Sequence, residues 1–282
     1  MILQNHYFSE ICHDFKADYV KRDTPFFMES YHYHKTYEIY YCIEGERRLF
    51  LKDRIYHVTA GDLVFINKYE LHSVNDWTTP GHARIVLSIN DEWLESLNMG
   101  DIDIFSCFHR GIVVAETNPK QQEWVLNRLL EIVDEYNEKA FGSDIRLKAM
   151  TIDLLIALNR ILDHCEDKTS PHSQKDKMIS DIMQYLTEHY KEDFSLEKIS
   201  LEFGYSKNYL CSLFKQVSGF SMVAYLNAIR VKEAQRLLKS TKHSIAEISE
   251  MTGYENITHF GRVFKEVTGC SPLSYRKKFS HK

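Results

Sequence analysis

Residues 194–219 read FSLEKISLEFGYSKNYLCSLFKQVSG, residues 243–269 read HSIAEISEMTGYENITHFGRVFKEVTG, and the second stretch repeats the first. Ser195 pairs with Ser244, Leu196 with Ile245, Ile199 with Ile248, Gly204 with Gly253 and Tyr205 with Tyr254. After one added residue, Leu210 pairs with Phe260, Phe214 with Phe264, Lys215 with Lys265, Val217 with Val267 and Gly219 with Gly269. A repeat of about 50 residues marks a duplicated structural unit. In each copy a serine can cap a short helix, a Gly-Tyr pair turns the chain, and a longer helix follows. The apolar residues of that helix fall at i, i+3, i+4 and i+7: Leu210, Leu213, Phe214 and Val217, then Phe260, Val263, Phe264 and Val267. Two short helices joined by a tight glycine-containing turn form a helix-turn-helix, here over 195–216 and 244–266.

With those stripes turned inward, the opposite faces show Lys207, Asn208, Cys211, Ser212 and Lys215 in one copy and Thr258, His259, Arg262 and Lys265 in the other. Short polar side chains and arginine exchange hydrogen bonds with base edges, whereas lysines at these positions suit phosphates. Between the copies, SMVAYLNAIRVKEAQRLLK (221–239) reads as an amphipathic helix. At about 1.5 Å per residue it holds the two units roughly one DNA turn apart, on the order of 34 Å. Charge agrees with this reading. Residues 175–282 hold 17 Lys+Arg against 12 Asp+Glu, while residues 1–174 hold 18 against 28, so the overall −5 hides a basic segment fit to meet phosphate.

The chain has 282 residues, of which 44% are hydrophobic and 27% charged, enough for about two packed domains. Its longest aliphatic run, Leu154 to Leu158, is far too short for a membrane span. The start, MILQNHYFSEICHDF, lacks the pattern of an export signal, so a cytoplasmic location is expected. Six scattered cysteines without CxxC spacing fit reduced thiols. No Walker-type loop or nucleophile elbow is present, and no enzyme activity is expected.

From about Thr24 to Asn90 the sequence reads as short strands, FFMESYHYH, YEIYYCIEG, RRLFLKD, RIYHVTA, DLVFIN and ARIVLSIN, which predicts a barrel or sandwich. Asn118 and Pro119 then open a helix to about Glu138, and a second starts near Ser143 beyond the Gly142 turn, giving an antiparallel pair. The polar segment EDKTSPHSQKD (166–176) reads as a linker. The expected architecture has two domains. Residues 1–165 are expected to form an all-β barrel with its helix pair, 166–175 a linker, and 176–282 an all-α domain with two helix-turn-helix units.

IRVKEAQRLL, IAEISEMTGYENITHFGRVFKEVTGCSPLSYR and the terminal Pro272, Tyr275 and Arg276 make residues 176–279 resemble the DNA-binding domain of AraC/XylS transcription regulators. The resemblance implies base contacts from Asn208, Cys211 and Ser212 in the first unit and Thr258, His259 and Arg262 in the second, with Lys207, Lys215 and Lys265 on phosphates. Cys211 and Ser212 are short for base readout, which leaves Asn208 dominant in the first unit. His32-x-His34-x3-Glu38-x6-Gly45, followed by Gly61 and His72, resembles the first cupin motif closely and the second in part, since Asn67 stands where proline is usual. The likeness implies an effector pocket that includes His32, His34, Glu38, Tyr40 and His72, with a small molecule such as a sugar as ligand. No cofactor is required, although His32, His34, Glu38 and His72 are chemically able to take a divalent metal. Tyr31, Tyr33, Tyr37, Tyr40 and Tyr41 suit either a stacked ligand or a barrel core. Promoter DNA, the effector, a second copy of the chain joined through 118–164 and, for an activator, RNA polymerase are the expected partners. The rival reading is a metal-dependent cupin enzyme fused to a DNA-binding module.

Overall fold

The computed structural model of the protein describes residues 14–26, 28, 32–51, 54–77, 80–95, 102–168 and 174–279. Its N-terminal part is built from strands β1 (Phe15–Arg22), β2 (Tyr37–Glu44), β3 (Glu46–Leu51), β4 (Arg54–Thr59), β5 (Leu63–Ile66), β6 (His72–Asp76), β7 (His82–Ile89) and β8 (Val114–Ala115). They form two antiparallel sheets, in the orders β1-β7-β2-β5-β8 and β4-β3-β6. The helices of this part are a short α1 (Asp91–Glu95), then α2 (Pro119–Glu138) and α3 (Ser143–Leu162).

β2 serves two layers at once. Its side chains alternate, so Tyr37, Ile39 and Tyr41 pack beneath Val125, Leu129, Leu154 and Leu158 of the helix pair, while Tyr40 and Cys42 meet Leu49, Leu51 and Val58 of the facing sheet. A strand buried on both faces reads as a nearly unbroken apolar run, which accounts for YEIYYCIE. The α2–α3 pair starts as the sequence predicts. Asn118 caps α2 with its side-chain oxygen on Lys120 N and Gln121 N, and Gln121 reaches back to Asn118 N.

Three expectations change. The described residues of the stretch 26–34 belong to no strand of either sheet: bridge positions occur at His32, which pairs with His72, and Tyr33, and residues 27 and 29–31, Tyr31 among them, lie outside the described residues. β1 and β6 are strands that the sequence did not announce. β1, FKADYVKR, carries four charged residues, Lys16, Asp18, Lys21 and Arg22, and in β6 the run HSVND is polar yet wholly buried, because Asn75 and Asp76 take up the Met28 and Phe26 amides. The two ends of the expected linker are also structured. Asp167 accepts from Val113 N and Val114 N on the barrel, helix α4 (Gln174–Glu188) begins at residue 174, and residues 169–173 lie outside the described residues.

The C-terminal part continues with α5 (Leu196–Phe203), α6 (Lys207–Ser218), α7 (Met222–Ser240), α8 (Ile245–Met251), α9 (Ile257–Thr268) and α10 (Pro272–Phe279). Capping residues set the breaks: Ser195, Ser206, Ser221, Ser244 and Asn256 each accept backbone N–H groups at a helix start. The apolar stripes of α6 and α9 close on α7 in one cluster, which also takes in Tyr33, Phe50, Ile55 and Leu71 of the barrel. The two domains therefore share a core.

Candidate functional site

The two helix-turn-helix units fold as the repeat predicts, with α5–α6 and α8–α9 on either side of α7. Leu210, Leu213, Phe214 and Val217 are buried on α6, and Phe260, Val263, Phe264 and Val267 on α9. The faces left outward carry Asn208, Ser212 and Lys215 on α6 and Thr258, His259, Arg262 and Lys265 on α9, all exposed; Cys211 is half-buried. Lys207 is exposed but engaged, its ammonium 2.5 Å from Glu197. Arg262 has no ion-pair partner among the described residues. The 19-residue α7 separates the units by about 28 Å along its axis.

In the barrel the structure brings His32, His34 and His72 together, one nitrogen of each lying within 4.8 Å of the others. The His34 Nδ1–H donates to the Thr36 carbonyl at 2.9 Å and its Nε2 lies 3.0 Å from Glu38 Oε2. The His72 Nδ1–H donates to the Glu70 carbonyl at 2.8 Å, which leaves Nε2 a bare lone pair. Burial pushes His32 down to about 4 and His72 well below its usual value. Burial would also lower His34, but the Glu38 carboxylate outweighs it and raises the imidazole; burial would raise Glu38, but His34 outweighs it and holds that carboxyl at about 2. The pair is an ion pair, and the other two imidazoles are neutral.

These groups stand at one end of a cavity of about 180 Å³, whose wall includes His32, Glu38, His72 and Tyr40, and further along Arg47 and Arg84. His34 completes the cluster from behind that wall. Tyr37 and Tyr41, candidates for ligand stacking, belong to the core under α2 and α3. His32 Nδ1 and His72 Nε2 are buried without hydrogen-bond partners among the described residues. The unpartnered nitrogens of His32 and His72, with the remaining ring N–H of His72 fixed by a carbonyl, fit a divalent cation beside the Glu38 carboxylate, whereas His34, engaged by Thr36 and Glu38 through its two nitrogens, would have to give up that ion pair to ligate. Arg47 and Arg84 escaped the sequence reading, although the paired arginines 47 and 48 in RRLFL and the single charge of Arg84 in ARIVLSI were signals in otherwise apolar strands. Arg47 is 1% exposed and is held by Asp76, with His82 Nδ1 at 3.0 Å from its guanidinium.

Tyr33 lies between two members of this cluster and faces away from it. It is 0% exposed, and its hydroxyl donates to Gln235 Oε1 on α7. Arg48, one residue from cavity-lining Arg47, donates to the Val217 carbonyl at the end of α6 at 3.4 Å and lies 3.8 Å from Asp176 of α4. Beside Tyr33 a crevice of about 450 Å³ opens between barrel and α7, walled by Tyr33, Tyr69, Tyr190 and Ile229. No helix of the described residues is long and apolar enough to cross a membrane.

Residues 20–155 match the AraC-like ligand binding domain, and residues 199–278 match a helix-turn-helix domain. The chain is 28% identical over 261 residues to the uncharacterized HTH-type transcriptional regulator YdiP of Escherichia coli, covering 92% of this chain and 84% of that one. It is 27% identical over 260 residues to the HTH-type transcriptional activator RhaR of Shigella dysenteriae, covering 89% and 88%. A crystal structure of apo ToxT from Vibrio cholerae aligns over 96% of this chain and 100% of its own, with 17% identity and a TM-score of 0.42.

Proposed function

The chain belongs to the AraC family of transcription regulators, and from this premise we propose how its barrel and its two reading helices work together. Helices α6 and α9 enter successive faces of one major groove. Asn208, Cys211 and Ser212 meet bases in the first, and Thr258, His259 and Arg262 in the second. Lys207, Lys215 and Lys265 meet phosphates, although the Glu197 ion pair of Lys207 must open for it to do so. The effector occupies the barrel cavity. Its contacts shift the His32–His34 segment, and Tyr33 passes the shift to Gln235 on α7, the helix that sets the spacing of the readers.

One observation carries this reading. Three consecutive residues divide between two tasks, with His32 on the cavity wall, Tyr33 bonded to the DNA-binding domain, and His34 back in the imidazole cluster. Removing the hydroxyl in Tyr33→Phe is expected to cost about 1 kcal/mol of interdomain coupling, near the net value of a buried hydrogen bond. The measurement is DNA affinity of the full chain for the promoter region beside its own gene, by anisotropy at fixed low salt. A change of about fivefold in affinity with unchanged melting of the DNA-binding helices supports the route. No change in affinity contradicts it, and no binding at low salt by the unaltered chain contradicts the assignment of the readers.

Exposed Phe141 and Ile145 at the tip of the α2–α3 pair support a second copy docking there. A relative named as an activator supports contact with RNA polymerase at the promoter. DNA as the target supports a cytoplasmic place of work. Binding rather than turnover is the barrel's role, in keeping with relatives that are regulators.

The imidazole cluster favours a second reading for the same end of the cavity. His32, His34, His72 and Glu38 would hold a divalent transition metal, which supplies a Lewis-acidic anchor for an effector oxygen when bound. Elemental analysis of purified protein decides it: about one equivalent of Mn, Fe, Ni or Zn supports the metal reading, and its absence after metal-supplemented growth sinks it.

A further inference from the structure

The walls of the barrel cavity describe its occupant by size, by unmet hydrogen bonds and by charge. A volume of about 180 Å³ exceeds the roughly 150 Å³ that accepts benzene, so a compact molecule fits and a long-chain one does not. Four buried polar atoms belong to residues that line this one space: His32 Nδ1 and His72 Nε2 have no hydrogen-bond partner among the described residues, and Tyr40 Oη and Arg47 Nε have at most each other's side chains beside them. Protein interiors rarely leave such groups unmet, so their concentration here marks hydrogen-bonding capacity kept for a ligand. A purely apolar occupant would leave all four as they are.

The two ends of the space differ in kind. At one end His72 presents a lone pair, since its other nitrogen donates to the Glu70 carbonyl, and a lone pair calls for an O–H on the ligand. Along β2 and β7 the register sets Glu38 opposite Ser88 and Cys42 opposite Arg84, so Arg84 stands about 13 Å further along the strand. The charges near the cavity are otherwise matched: Lys16 with Asp18, Arg47 with Asp76, and His34 with Glu38. Arg84 lies 5.8 Å from the Tyr40 ring centre and has no acidic partner among the described residues. Among the described residues, one guanidinium of the cavity wall is therefore left without a counter-charge.

Resting on the reading of the barrel as the effector site, we infer that the effector is a small polyhydroxylated carboxylic acid of the sugar-acid type. Its carboxylate pairs with Arg84 and its hydroxyls donate to His72 and His32. A neutral sugar meets the imidazoles and leaves Arg84 bare, and an unsubstituted short-chain acid does the reverse. Each is a weaker ligand for a stated reason.

The test is calorimetric titration of EDTA-treated full-length protein with D-gluconate and D-galacturonate, with D-glucose and D-galactose as neutral counterparts and hexanoate as the acid without hydroxyls. At least one sugar acid is expected to bind about tenfold or more tighter than its neutral counterpart and than hexanoate. Arg84→Gln should reduce that preference to about twofold or less, Arg84→Lys should restore most of it, and His72→Gln should weaken all hydroxylated probes. Absence of binding by both sugar acids up to about 10 mM overturns the inferred class. Neutral sugars that bind as well as the acids, while His72→Gln still weakens them, also overturn the class and leave the barrel as the site. Binding indifferent to Arg84→Gln, Arg84→Lys and His72→Gln, with the variants' melting intact, removes the effector from the barrel and fails both readings.

Discussion

The two reading units share a sequence pattern and differ in what holds them. In the first, Tyr205 is 42% exposed and stacks on Tyr209 at the surface, Lys207 is tied to Glu197, and the end of α6 takes a hydrogen bond from Arg48 of the barrel. In the second, Tyr254 is 4% exposed, its hydroxyl donates to Asn227, and Arg230 lies over its ring while donating to the carbonyls of Tyr190 and Glu192. The first unit leans on the barrel and the second is locked to α7. Readout of bases requires side chains held on a rigid element, so under the proposed assignment the locked unit, with Thr258, His259 and an Arg262 that has no ion-pair partner among the described residues, is the one expected to discriminate. The unit in touch with the barrel is the one an effector can move.

The largest expected effect sharpens this contrast at the turn glycines. Gly253 sits at φ +83°, and a Cβ there would lie 2.8 Å from the Tyr190 carbonyl oxygen and 2.9 Å from that of Lys191; Gly204, at φ +71°, has nothing within 4 Å. Gly253→Ala should therefore destabilise the DNA-binding domain by about 2–4 kcal/mol, strain plus clash, and Gly204→Ala by about 1 kcal/mol, strain alone. Chemical denaturation of the two variants checks the difference, and equal costs would mean that the second unit is no more firmly seated than the first.

A smaller effect separates phosphate from base contacts. Lys215→Ala should weaken promoter and scrambled DNA alike and lower the salt dependence of binding by about one unit of slope. A loss confined to the promoter would move Lys215 into the reading set. Smallest of all, Cys211→Ala should change promoter affinity by no more than about 0.5 kcal/mol, because the thiol is half-buried and a weak hydrogen-bonding group. A large loss would make the first unit a reader in its own right.

The helix-turn-helix units were legible because helix period, caps and turn glycines are local signals, and each appeared twice. The helix pair was legible for the same reason, from Asn118, Pro119 and the Gly142 turn. The barrel was legible in part. β2 to β5 and β7 carry apolar runs, but β1 carries four charged residues and β6 is a polar strand whose side chains are satisfied by distant backbone amides, a condition that no local pattern records. His32, His34, Glu38 and His72 were nameable from spacing and do converge. They do not share one strand, since the chain bends at residues 35 and 36 between His34 and β2. Tyr33 and Gln235 are 202 residues apart, and Arg84 became notable only when every other charge near the cavity had found a partner. Contacts of that kind belong to the packed molecule.

Paired titrations of the wild-type chain and Arg262→Ala against the promoter fragment and a scrambled duplex at one salt concentration test the unequal readers most directly. A loss of about 1–3 kcal/mol is expected on the promoter, confined to one base pair, with little change on scrambled DNA beyond that of removing a single charge. Equal losses on the two duplexes would make Arg262 a phosphate contact and remove the second unit's claim to discriminate.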